Sequence, residues 1–152
     1  MFNRILSFAI ENIDLLFFRQ QYNKKYLKNE SRSICWIQIL NYLEYCNRAF
    51  ILKKVQRFDT VGKKKLKVDE KYYLTDHGFR QARGYSNTKD IERTLENIVY
   101  IELVSRGYRV EIGKVKDLEI DFIASKDNER LYYQVSYLME TEETRKTRVW
   151  CV

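Results

Sequence analysis

The spacing of apolar residues changes period three times along this chain, and that change limits the architectures open to it. Leu6, Ile10, Ile13 and Phe17 recur on one helical face and predict an amphipathic helix over residues 3–18. A shorter helix is expected over residues 23–29, with Asn23 as its cap. A third is expected over residues 34–48, where residues 31–33 break the pattern and supply caps, and Ile39, Leu43 and Cys46 keep helical spacing. The period then falls to two. Residues 51–59 and 66–74 are rich in β-formers and flank Gly62, Lys63, Lys64 and Lys65, which predicts a hairpin with a lysine tip. Three helices followed by such a hairpin are the outline of a winged helix-turn-helix.

The cycle then repeats in a different form. Residues 90–106 read as a helix with Ile91, Leu95, Ile98 and Val99 on one face, Glu96 and Glu102 on or beside it, and Gly107 as its stop. Strand-like runs follow at residues 108–115, 118–125 and 131–138, a helix leading into a β-meander. The 152 residues suit one domain or two small ones. The pattern places an α+β division between residues 1–88 and 89–152.

Charge divides along the same line. Residues 1–88 carry 17 Lys+Arg against 8 Asp+Glu, and residues 89–152 carry 11 against 13, so the formal charge of +7 rests on the first half. A basic first half points to a polyanion such as duplex DNA. Lys63, Lys64 and Lys65 at the hairpin tip are the candidate phosphate contacts, beside the groove that would receive the third helix; solvated loop lysines are the alternative.

Several classes are disfavoured. The longest apolar stretches, such as residues 15–18, fall far short of a membrane span, and Arg4, Glu11 and Asp14 interrupt any leader-like run, so a cytoplasmic protein without a membrane partner is expected. Cys35, Cys46 and Cys151 form no CxxC pair and His77 is the lone histidine, which argues against zinc. Cys35 and Cys46 on one helix are separated by ~16 Å of rise, beyond disulfide reach, and read as reduced core thiols. Trp36 and His77 read as structural residues. No G-x-x-x-x-G-K-[ST] run occurs, so the chain carries no P-loop.

The chemistry-bearing pattern lies in the second half. Strict alternation over residues 119–123 would put Glu119, Asp121 and Ile123 on one strand face, and the next run carries Gln134, Val135 and Ser136. Acidic residues on neighbouring strands can hold a divalent cation for phosphodiester hydrolysis, and Glu96 on the preceding helix can add a ligand. An exposed strand carboxylate is an equal reading of Asp121.

Six stretches in order, residues 5–13 (ILSFAIENI), 41–45 (NYLEY), 71–80 (KYYLTDHGFR), 95–100 (LENIVY), 119–123 (EIDFI) and 134–138 (QVSYL), resemble the C-terminal region of a family of bacterial and archaeal AAA-type ATPases. That region joins a winged helix to a PD-(D/E)XK nuclease-like domain of unknown function, and the resemblance spans residues 5–145. It implies that Glu96, Asp121 and Gln134 stand at the nuclease-like acidic positions, with Glu96 and Asp121 the candidate metal ligands. Ser136 stands where an active nuclease has its lysine. A neutral hydroxyl cannot stabilise phosphate charge as that lysine does, and Gln134 offers only an amide oxygen where a carboxylate would bind metal more strongly. No catalytic residue is therefore assigned, and no cofactor is expected unless the site is active, in which case it would take Mg2+. The resemblance to the family pattern ceases after residue 145, which suggests a truncated nuclease-like domain.

These readings lead to a non-catalytic DNA-binding or regulatory module of an AAA-type ATPase, whose partners would be duplex DNA and either an ATPase domain or another copy of itself. The alternatives are a metal-dependent DNA nuclease and a protein-interaction or oligomerisation module.

Overall fold

A computed structural model describes residues 2–11, 36–62, 64–85, 91–115 and 118–137. The expected helix over residues 23–29 lies outside the described residues, as do residues 12–18 of the first helix, Cys35, Lys63 and Cys151. The chain is α+β. Its described elements run α1 (Phe2–Glu11), α2 (Trp36–Arg48), β1 (Leu52–Asp59), β2 (Lys64–Leu74), α3 (Gly78–Ala82), α4 (Ile91–Ser105), β3 (Arg109–Val115), β4 (Leu118–Lys126) and β5 (Glu129–Tyr133). The short α3 was not anticipated from the sequence. It starts because Asp76 Oδ1 accepts the Gly78 N–H at 2.6 Å, a local side-chain turn that opens the helix.

All five strands belong to one sheet in the order β2-β1-β3-β4-β5. Strands from both sides of the expected 88/89 division are joined directly. β1 and β3 run parallel through Arg57↔Ile112, Phe58↔Gly113 and Asp59↔Lys114, and the other neighbours are antiparallel. Thr60 extends the junction, since its N–H and its hydroxyl each donate to the Lys114 carbonyl at 2.9 Å.

Alternation along β2 sends adjacent residues into two cores. Tyr72 and Leu74 pack with Ile5, Phe8, Ile10, Ile39, Leu43 and Cys46 of α1 and α2. Tyr73 instead joins Val55, Tyr100, Leu103, Ile112, Phe122 and Ala124 beneath α4, with its ring stacked on Tyr100 at 4.5 Å between centroids. Fully burying each such side chain stabilises the fold by about 1.5–3 kcal/mol before entropy is counted. Cys46 is a free buried thiol whose pKa is raised by burial, matching the reading of it as a core thiol.

The inward face of α4 differs from the one expected. Thr94, Asn97, Tyr100 and Leu103 are buried, whereas Ile98 is 46% exposed. The apolar stripe was outcompeted because the Asn97 amide, itself wholly buried, accepts the Leu74 N–H at 2.7 Å and donates to the Leu74 carbonyl at 3.0 Å. Leaving that backbone pair unmet under a helix would cost more than exposing one isoleucine.

Residues 7–11 of α1 and the segment around α3 are tied together by polar contacts. Buried Arg80 donates to the carbonyls of Ile10 at 3.0 Å and Glu11 at 3.1 Å, at the last described turn of α1. Arg83 reaches the Ser7 hydroxyl at 2.6 Å.

Candidate functional site

The site lies where α4, β2 and β4 meet, and β2 supplies side chains that pattern reading did not single out. Lys71 shares the α4-facing side of its strand with Tyr73 and is 3% exposed. Its Nζ lies 2.9 Å from Glu96 Oε1 of α4 and 2.8 Å from Glu119 Oε1 of β4. The Tyr73 hydroxyl donates to the same Glu96 oxygen at 2.5 Å. Arg57 of β1 donates to the other carboxylate oxygen of Glu119. Two cations from the first half and two carboxylates from the second thus form one cluster, buried except at Glu119, whose side chain is 25% exposed.

Asp121 is held differently. Its Oδ2 accepts the Gln134 Nε2–H and the Val135 backbone N–H, both at 2.7 Å. This explains why β5 is shorter than the expected run over residues 131–138: strand pairing ends at Tyr133, and Val135 turns its N–H to the carboxylate. Gln134 acts here as a donor to Asp121. Ser136 follows half-buried, outside any strand.

The expectation that Glu119, Asp121 and Ile123 share one face is corrected by the register. Gly113 pairs with Ile120 and Glu111 with Ile123, so Asp121 and Phe122 together oppose Ile112 in a β-bulge. The extra residue brings Glu119 and Phe122, three apart, to the α4 side. Ile120 and Ile123 border Gly113 on the other side, where a Cβ on Gly113 would meet Ile120 Cβ at 2.8 Å.

The structure therefore joins Asp121 to Gln134 and joins Glu96 to Lys71, Tyr73 and, through Lys71, Glu119. This arrangement does not fit a divalent cation. Glu96 Oε1 already accepts from an ammonium and a hydroxyl, and among the described residues no three His, Cys, Asp or Glu side chains converge as a metal cage. Lys71 was partly legible, since alternation puts it on the face of Tyr73. That α4 covers this face was not.

The expected hairpin is present, but its return strand starts earlier than residue 66, and Lys63 lies outside the described residues. β1 and β2 pair to the end through Phe58↔Lys65 and Asp59↔Lys64, with Val61 and Gly62 exposed in the turn, both of whose N–H groups donate to Asp59 Oδ1 at 3.1 Å. Lys64 and Lys65 thus begin the return strand. Among the described residues no helix is long and apolar enough to cross a membrane.

The chain is similar to an uncharacterized protein of Haemophilus influenzae, 41% identical over 109 residues that cover 72% of this chain and 27% of that protein. It is also similar to the uncharacterized protein MJ1544 of Methanocaldococcus jannaschii, 34% identical over 114 residues that cover 72% of this chain and 24% of the relative. The chain thus spans about a quarter of the length of these curated relatives. No family model and no solved structure matches it.

Proposed function

We propose that this chain is a DNA-binding, non-cleaving module of a larger AAA-type ATPase, in which a winged helix stands on a degenerate nuclease-like core. The observation that supports the reading is the β1–β2 hairpin: its strands pair up to Asp59↔Lys64 at the turn, so that Lys64 and Lys65 stand on the strand beside it, as a wing that contacts phosphates would need. Its position after α2 agrees with the order helix, then wing. Relatives about four times the length of the matched segment fit a module within a longer protein.

The non-cleaving half of the proposal rests on the nuclease-like positions. Gln134 donates to Asp121, and Ser136 brings no positive charge where a nuclease lysine would stand. The test is incubation of a labelled mixed-sequence duplex with the purified chain and magnesium or manganese, resolved on a denaturing gel. Intact DNA in samples that show binding is the expected result. Cleavage that is lost in Asp121→Ala would contradict it.

A further inference from the structure

We infer that Lys71 is a built-in cation that bridges Glu96 and Glu119, filling the place that a divalent metal ion would take between these two carboxylates. The inference rests on the non-cleaving reading above and assigns the charge that holds the two together.

Three observations converge on Lys71. Its ammonium touches carboxylates from two different elements, Glu96 of α4 at 2.9 Å and Glu119 of β4 at 2.8 Å, as a bridging metal ion would. Its side chain is 4% exposed and is delivered by β2, from outside the helix and strands that the resemblance assigns to the nuclease-like domain. The charges also balance: Lys71 and Arg57 face Glu96 and Glu119, and Tyr73 gives Glu96 a further neutral donor.

Size and charge both set ammonium against metal here. Mg2+ demands oxygens at ~2.0–2.1 Å, so each carboxylate would have to close by roughly 0.8 Å on a centre that the Lys71 nitrogen fills. A divalent ion added beside two paired cations would also leave excess positive charge in a buried site, which is strongly disfavoured. With Lys71 cut back to a neutral side chain, the two carboxylates face one another across a gap with oxygen ligands and no central charge. A hard cation should then enter.

The test is a manganese titration of the whole chain followed by electron paramagnetic resonance of the free ion. It compares the wild type, Lys71→Met and the double variant Lys71→Met/Glu119→Gln. The wild type should take up no manganese at this site, Lys71→Met should bind one ion per chain, and the double variant should lose it. Because Lys71→Met leaves Glu96 and Glu119 with Arg57 as the one cation of the cluster described above, it is refolded with and without manganese; a fold recovered, or melting raised, by manganese but not by an equal ionic strength of sodium also supports the inference. A wild type that binds one manganese ion and loses it in Glu96→Gln overturns it. So does a Lys71→Met variant that binds none, or that does not fold even in manganese. DNA cleavage by the wild type would instead contradict the non-cleaving reading, so the two failures are distinguishable.

Discussion

The side-chain amide of Asn97 closes both backbone hydrogen bonds of Leu74, accepting its N–H at 2.7 Å and donating to its carbonyl at 3.0 Å. A helix residue thereby takes the part of a neighbouring strand at the end of β2, an edge of the described sheet. Asn97→Leu keeps size but orphans both buried groups, and should lower stability by about 2–4 kcal/mol. Urea unfolding of the two proteins reads this directly; a difference under about 0.5 kcal/mol would show that the pairing contributes little.

Arg80 should be as hard to replace. Its guanidinium is wholly buried on the carbonyls of Ile10 and Glu11, and a lysine offers one point of charge in place of a planar fork. Arg80→Lys is expected to cost about 1–3 kcal/mol and Arg80→Met more, since the methionine removes the charge and both of these donors. Equal stability of Arg80→Met and wild type, measured by thermal unfolding, would contradict this.

Gly113 is constrained by space and not by backbone conformation. An added methyl would meet Ile120 Cβ at 2.8 Å and two carbons of Ile123 at 3.1 Å, on the face opposite α4 and beside the bulge. Gly113→Ala should therefore destabilise by about 1–3 kcal/mol through overpacking. An alanine variant as stable as the wild type would mean that the bulge yields easily.

His77 gives the fold a pH dependence. Burial first, then the nearby Arg80, hold its imidazole pKa below the ordinary value, with Asp76 opposing. Below the unfolded value of ~6.5 the unfolded chain therefore binds more protons than the folded one. Stability from this group is complete above that pH and is lost as pH falls towards the lowered folded value. His77→Gln should flatten the fall between pH 7 and about 5 in denaturant titrations. An unchanged slope would assign the dependence to other groups.

The parts of this architecture legible in the sequence are those that local periodicity encodes. The helix over Trp36–Arg48, the β1–β2 hairpin and the order of α4, β3 and β4 follow from spacing and turn residues. What escaped was set by long-range partners. The parallel β1–β3 pairing that unites the two halves links residues 55 apart, as in Arg57↔Ile112, and leaves no local trace. The bulge at Asp121 and Phe122 overrides strict alternation, and the burial of Asn97 in place of Ile98 follows from the needs of Leu74. The candidate site divides in the same way. Glu96, Asp121 and Gln134 were found by pattern and resemblance, whereas Lys71 and Arg57 join the cluster only because strands of the first half share a sheet with the second.

The central claim is that the lysine-tipped hairpin is a wing that holds duplex DNA by its phosphates. The most direct measurement is fluorescence anisotropy of a labelled mixed-sequence duplex at several salt concentrations, for the wild type and for Lys63→Ala/Lys64→Ala/Lys65→Ala. Binding by the wild type should be salt-sensitive. The variant should bind every sequence more weakly, with a salt slope shallower by about one for each lysine that contacts a phosphate. A folded variant with unchanged affinity and slope would contradict the wing assignment, and salt-insensitive binding by the wild type would contradict phosphate recognition altogether.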